Sequence, residues 1–116
     1  MKVLVCGGSS YRDKSAVFDE LDALHRHRQI SLIINGGARG ADYSASQWAK
    51  ERDIPLRVFK AEWNQYGEKA VFQLNDEMLR EAQPDLVLAF PGGDVTADMI
   101  DKAENARIRV VIVASQ

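Results

Sequence analysis

The chain contains 116 residues, of which 46% are hydrophobic and 28% charged, and its formal net charge is −2 at pH 7. This composition is that of an ordinary soluble globular domain, and the lack of a basic surplus argues against nonspecific binding to duplex nucleic acid. A single cysteine, Cys6, excludes an internal disulfide or a cysteine-based metal site and is typical of a reducing compartment. No apolar run approaches the ~20 residues that a membrane span requires. We expect one domain over residues 1–116, located in the cytoplasm, with no metal and no membrane partner.

The first predicted element is a buried strand over Lys2–Cys6, whose residues are apolar apart from the first. It ends in a loop of small residues, Gly7-Gly8-Ser9-Ser10. Either Asp13 or Ser15 is suited to cap the helix that follows, in which apolar residues recur at helical spacing. The basic segment at residues 25–28 is expected in the last turn of this helix, where cations complement the helix dipole.

The second strand is predicted over Ile30–Ile34, and the segment GGARGAD follows it at residues 36–42. Its glycines permit positive φ and let a ligand approach the backbone, while the N-terminus of the next helix, predicted over Ala41–Arg52, attracts anions such as phosphate. Arg39 would add a planar, permanently charged group suited to phosphate or carboxylate. Three roles are open for Asp42: a bond to a ribose hydroxyl, a bond to Arg39, or an interaction with the helix dipole alone. A plain tight turn, with Arg39 in solvent, is the structural alternative.

The remaining elements continue the alternation of strand and helix. Three further strands are predicted at Leu56–Phe59, Asp85–Phe90 and Arg109–Val113. A polar loop at Lys60–Gly67 carries aromatic residues that serve either as packed lids or as stacking platforms, and residues 68–82 return to helical spacing. The fourth strand runs into a second glycine turn, PGGDVT at residues 91–96, and Thr96 is predicted to cap the last helix.

The order of the predicted elements indicates the fold class. Apolar strands separated by helices, with no hairpin signal, favour a parallel sheet covered on both faces. Right-handed crossovers then give a single-domain, doubly wound, Rossmann-like α/β sheet of about five strands. Ligands of such sheets bind beyond the carboxyl ends of the strands, near the point where the strand order reverses. An order such as 3-2-1-4-5 would let the loops after strands one, two and four line one crevice.

Three small-residue loops around one crevice suit a ligand that contains phosphates and a sugar, and purely structural turns are the alternative. The loops do not match the dinucleotide fingerprint G-x-G-x-x-G or the Walker motif, so NAD dehydrogenases and P-loop NTPases are poor fits. The loops contain no histidine, and neither a Ser-His-Asp arrangement nor metal-ligand spacing is visible. The sequence therefore favours binding over catalysis and leaves the ligand and any cofactor unidentified.

Four segments together resemble a known family. They are the CGG that ends the first strand, GGARGAD, the stretch from Trp63 through Gly67 to NDEML at residues 75–79, and PDLVLAFPGG followed by TADM. This combination resembles the SLOG superfamily, most closely its small YspA-type branch, over nearly the whole chain. The resemblance implies a Rossmann-like fold that binds nucleotides or nucleotide-derived molecules. Relatives in the superfamily include the DNA-uptake protein DprA and the LOG phosphoribohydrolases.

The loops and the resemblance together define the expected ligand-binding residues. They are Gly7, Gly8, Ser9, Ser10, Gly36, Gly37, Arg39, Gly40, Asp42, Trp63, Asn75, Pro91, Gly92, Gly93, Thr96 and Asp98. The candidate catalytic residues are Asp98, in the first turn after the second glycine loop, and Arg39.

This chain departs from the family pattern at several positions. Ser9 and Ser10 stand where the branch usually has arginine and aspartate, Val95 where it has glycine, and Leu74 where it often has arginine. Because a β-branched residue resists positive φ, Val95 implies either a different loop path or a more distant ligand. Met99 stands where LOG-type hydrolases use a glutamate, and a thioether cannot act as a general acid or base.

Three functional hypotheses follow. The first is a module that binds or senses a nucleotide or nucleotide-derived ligand without catalysis. The second is a hydrolase that cleaves an N-glycosidic or phosphate bond, with Asp98 and Arg39 as its candidate residues. The third is a DprA-like nucleic-acid binder, against which the acidic balance argues. Self-association into a homo-oligomer is a further expectation taken from the relatives.

Overall fold

The computed structural model describes residues 1–114, which form five strands separated by five helices, with two helices in succession between the third and fourth strands. The strands are β1 Lys2–Cys6, β2 Leu32–Asn35, β3 Leu56–Val58, β4 Leu86–Ala89 and β5 Arg109–Ile112. The helices are α1 Lys14–His27, α2 Ala41–Glu51, α3 Trp63–Tyr66, α4 Ala70–Ala82 and α5 Asp94–Asn105, with a 3₁₀ turn at Gly67–Lys69. All strand pairs are parallel and the sheet order is β3-β2-β1-β4-β5. The predicted doubly wound, Rossmann-like fold and its strand order are therefore confirmed.

The helices divide between the two faces of the sheet, as right-handed crossovers require. On one face, α1 and α2 pack over Val3 and Val5 around the fully buried Trp48. On the other face, α4 and α5 pack over Leu4 and Cys6. Alternate residues of β1 thus enter different cores, because successive side chains of a strand point to opposite faces.

The ends of α1 agree with the sequence signals. Of the two candidate caps, Asp13 is the one used, since its carboxylate accepts a hydrogen bond from the Ala16 N–H at 3.0 Å. The basic segment lies in the last turn as predicted. His25 has a structural role there, because its Nδ1 accepts the Ile30 N–H at 3.0 Å and its ring packs edge-on against Trp48.

Two local predictions are wrong. The segment expected to be a loop at 60–67 contains α3, and α5 begins at Asp94 with Gly93 as its N-cap, so Thr96 does not cap it. The backbone turns into the helix directly after the glycine pair, where Asp94 complements the positive end of the dipole. Thr96 is consequently buried in the first turn, and Asp98 lies one turn further along the helix than expected.

The sheet order determines where a ligand site can form. The central strand β1 lies between β2 and β4, so the loops that follow these three strands are neighbours at one edge of the sheet. The loops after β1 and β4 touch each other, and the Gly8 N–H donates to the Pro91 carbonyl at 2.9 Å. The open space at this edge therefore lies on the β2 side of β1. Within residues 1–114, no helix is long and apolar enough to cross a membrane.

Candidate functional site

A cleft of about 510 Å³ opens at the carboxyl ends of β1 and β2. Its walls come from the loops after β1, β2 and β3, from α3 and α4, and from the first turns of α2 and α5. Most of the lining is apolar. The polar side chains in it are Asp42, Lys60, Asn75 and Thr96. The volume and the apolar lining with few polar groups are typical of small-molecule sites, which usually measure ~300–1,000 Å³.

The cleft contains some of the expected binding residues and leaves others outside. Those that line it are Gly7, Gly36, Gly37, Asp42, Trp63, Asn75 and Thr96. Those outside its lining are Gly8, Ser9, Ser10, Arg39, Gly40, Pro91, Gly92, Gly93 and Asp98. The third predicted loop thus contributes through the first turn of α5 instead of through its own glycines.

The loop after β2 is organised by two polar side chains. The Oδ2 of Asp42 accepts the N–H groups of Gly36 and Ala38, both at 3.2 Å. The Oδ1 of Asn35 accepts the Gly37 N–H at 2.8 Å. These three loop N–H groups are therefore satisfied within the protein and cannot serve as an anion cradle without breaking those bonds.

Asp42 is a carboxylate held in an unusual environment. Only 7% of the residue is exposed, and burial raises its pKa from 3.8 to about 7, against the opposing effect of the hydrogen bonds from Ala38 and Gly36. Burial raises the pKa of the Cys6 thiol to about 12, and the nearby charge of Asp42 contributes to this rise. Of the three roles considered for Asp42, the bond to Arg39 is not formed. The Arg39 side chain is exposed, and no ion pair within residues 1–114 involves it.

A polar cluster joins α4 to α5 beside the cleft. The amide nitrogen of Asn75 donates to the Val95 carbonyl and to Asp98 Oδ2, both at 3.0 Å. Lys102 Nζ lies 2.9 Å from the same Asp98 oxygen and 3.1 Å from Asp76. Asp98 is therefore engaged in tying the two helices together.

Leu74, Val95 and Met99, three of the positions at which the chain departs from the family pattern, are all part of the structure around the cleft and the core beneath α5. Leu74 is buried in the cleft wall, and Val95 lies in the first turn of α5 with helical backbone, also lining the cleft. Val95 has no positive φ, so its β-branched side chain is compatible with this backbone. Met99 is fully buried in the core beneath α5 and outside the cleft lining.

Three large apolar side chains at the cleft are exposed to solvent. Val58, Trp63 and Val95 are 42%, 58% and 37% exposed, and all three belong to the lining. Trp63 was predicted from the sequence as a binding residue, but Val58 and Lys60 were not. These two residues line the cleft because β3 lies beside β2 in the sheet. The only available signal was that any loop after a parallel strand lies at the ligand-binding edge. Within residues 1–114, no group of three or more His, Cys, Asp or Glu could hold a metal ion.

Comparison with known proteins identifies the family. The model of the YspA, cpYpsA-related SLOG family matches residues 1–66. The Gene 61 protein of Mycobacterium phage D29 is 36% identical over 118 residues, which cover 95% of this chain and 94% of the phage protein. The chain belongs to the YspA, cpYpsA-related SLOG family. The resemblance found in its motifs is confirmed.

A solved structure supports the fold of this SLOG protein. The chain matches phosphoribosylglycinamide formyltransferase from Bacillus halodurans with a TM-score of 0.51 and 18% identity. The match covers 97% of this chain and 55% of the enzyme, so the chain spans about half the length of that protein. The likeness concerns the Rossmann-like architecture alone.

Proposed function

We propose that this protein binds a nucleotide or a nucleotide-derived small molecule in the cleft at the carboxyl ends of β1 and β2. Family membership and the Rossmann-like fold support a nucleotide-related role at a coarse level. The observation that carries the proposal is the cleft itself: a largely apolar space of about 510 Å³ with an exposed tryptophan at its mouth and a few buried polar groups.

Each part of such a ligand has a suitable neighbour. A base fits the apolar wall formed by Leu74 and Met78, and Trp63 offers an aromatic face for stacking. Phosphates fit the rim, where Lys60 lines the cleft and Arg39 is exposed just before α2. Within residues 1–114, neither α2 nor α5 has a side-chain hydrogen bond that caps its N-terminus, so both helices offer free N–H groups to an anion.

We propose binding without catalysis. Asp98 is hydrogen-bonded to Asn75 and ion-paired with Lys102, and it lies outside the cleft lining. The neighbouring Met99 is buried in the core and brings no acid or base. A small molecule is favoured over a nucleic-acid partner because the chain is net acidic.

A thermal-shift screen tests the proposal with AMP, ADP, ATP, ADP-ribose, NAD and cyclic nucleotides. A ligand at 100 times its dissociation constant should stabilise the fold by ~2.7 kcal/mol, a readily measured shift. Arg39→Ala should weaken binding of a phosphorylated ligand by about tenfold if Arg39 makes a charged hydrogen bond to phosphate.

The matched control is Arg26→Ala, which removes an exposed arginine from the last turn of α1. It should leave the shift unchanged. The proposed function fails if no compound at millimolar concentration stabilises the wild-type protein.

A further inference from the structure

Asn75 presents one hydrogen-bond acceptor to the cleft. Its amide nitrogen has two hydrogens, and both are used, one by the Val95 carbonyl and one by Asp98. These bonds fix the orientation of the amide group. Its Oδ1 receives no hydrogen bond from any other part of residues 1–114, although only 4% of the residue is exposed.

Asp42 presents a second acceptor in a similar way. Both backbone N–H bonds, from Gly36 and Ala38, go to Oδ2. The other carboxylate oxygen, Oδ1, has no hydrogen-bond partner within the described chain. The loop therefore holds the carboxylate in place through one oxygen and leaves the other free.

Both free oxygens are open to solvent. Among residues 1–114, no side-chain nitrogen or oxygen that is shielded from water lacks a partner. The two oxygens must therefore be reachable from solvent, and the space that both residues line is the cleft. A ligand bound there meets two acceptors that the protein has already oriented.

The chemistry of these acceptors selects the group that they bind. An anion is disfavoured at these two oxygens because the ionised Asp42 carboxylate repels it, and the charge of Lys60 in the same lining offsets the attraction of Asp42 for a cationic amine. Neutral hydroxyl groups satisfy an acceptor without bringing charge. We propose that Asp42 and Asn75 form a subsite for the adjacent hydroxyls of a sugar, such as the 2′ and 3′ hydroxyls of a ribose. This subsite rests on the proposed nucleotide site, and it deepens that proposal by placing the sugar at Asp42 and Asn75, away from the rim.

The first test compares ligands on the wild-type protein by isothermal titration calorimetry at pH 8, above the pKa of about 7 of Asp42, so that its carboxylate is ionised and accepts hydrogen bonds. The probes are adenosine, guanosine, cytidine and uridine, each paired with its 2′,3′-dideoxy counterpart. For any base that binds, removal of both hydroxyls should weaken binding at least about tenfold, as expected for lost hydrogen bonds to a charged acceptor. Uridine carries no amino group on its base, so its binding separates sugar recognition from recognition of a base amine.

The second test exchanges the acceptor for a donor. In Asp42→Asn, the amide oxygen can keep the bonds to Gly36 and Ala38 while the NH₂ group replaces Oδ1 in the cleft. Affinity for a ribonucleoside should fall about tenfold towards that of its dideoxy form, whose own affinity should change little, while Asn75 still accepts a hydrogen bond from one hydroxyl. Asp101→Asn removes the same charge from an exposed position of α5 and serves as the control, which should bind as the wild type does.

The outcomes separate the two proposals. If ribonucleosides and dideoxynucleosides bind equally well, the hydroxyl subsite is overturned and the nucleotide site stands. The same conclusion follows if Asp42→Asn weakens both ligand classes by the same factor. If no nucleoside and no nucleotide of the screen binds, both proposals fail. The ligand comparison needs no variant, so it decides the question even if Asp42→Asn does not fold.

Discussion

The two glycine loops of this chain, GGARGAD after β2 and PGGDVT after β4, look alike in sequence but are built differently. In the first, Gly37 and Gly40 have φ angles of 72° and 78°, which residues with side chains rarely adopt. In the second, neither glycine has a positive φ. Gly92 is needed there because a Cβ would lie 2.6 Å from the Gly8 nitrogen, whereas a Cβ on Gly93 would meet nothing within 4 Å.

Glycine pairs therefore have two different structural roles in this chain. In the first loop, glycine lets the backbone turn so that Asp42 can gather two N–H groups beside the cleft. In the second loop, glycine lets two strand ends approach until Gly8 and Pro91 form a hydrogen bond. A glycine pair after a parallel strand is therefore not sufficient to indicate a phosphate-binding loop.

Replacing Gly40 with alanine should have the largest effect on stability. The substitution forces a residue with a side chain to adopt φ near 78° and brings a Cβ against the backbone of Gly8 and Ser9. Backbone strain and overpacking together should lower the free energy of unfolding by about 2–6 kcal/mol, measured by urea denaturation. A loss below about 1 kcal/mol would show that this loop does not depend on its positive φ.

Asp42→Asn should remove a pH dependence of stability. Because burial raises the pKa of Asp42 from 3.8 to about 7, the folded protein keeps a proton that the unfolded chain releases between these values. The stabilisation linked to this proton is complete below pH 3.8 and is lost as the pH rises through about 7. The free energy of unfolding of the variant, relative to the wild type, should therefore rise by about 4 kcal/mol from pH 4 to pH 8.

Denaturant titrations of both proteins at pH 4, 6 and 8 measure this difference. Other titrating groups contribute equally to both chains, so they cancel. A difference that stays constant with pH would mean that the Asp42 carboxylate is ionised throughout the range.

Gly92→Ala should have a smaller effect, and Gly93→Ala is its matched control. At position 92 only overpacking against Gly8 and Thr96 is involved, which should cost about 1–3 kcal/mol. At position 93 the expected cost is at most about 1 kcal/mol, because alanine is a poorer N-cap than glycine. If both variants lose the same free energy of unfolding in urea denaturation, the close backbone approach is not specific to Gly92 within this pair.

The fold could be predicted from sequence because its signals are local. Apolar runs marked the five strands to within a residue or two at each end, and right-handed crossovers left few strand orders to choose from. Thr96 shows where local reasoning failed. Its hydroxyl made it a plausible cap, but the helix starts at Asp94, directly after a glycine pair whose first member packs against Gly8, a tertiary contact that no local signal indicates.

The candidate site was harder to predict than the fold. Asp42, Trp63 and Asn75 were expected to bind a ligand, and all three line the cleft. Lys60 was missed because its place in the lining depends on how β3 pairs with β2, not on any motif. Asp98 was expected in the first turn of α5, but the helix starts at Asp94, so Asp98 lies in the second turn, and its carboxylate pairs with Lys102 one turn further along.

The two tryptophans give this protein a built-in optical assay. Trp48 of α2 is fully buried in the core that α1 and α2 form with the sheet, so its emission should lie at short wavelength and report whether the fold is intact. Trp63 is 58% exposed at the mouth of the cleft, so its emission should lie at longer wavelength and respond to whatever enters. A single emission spectrum can therefore separate loss of the fold from occupancy of the cleft, without any label attached to the chain.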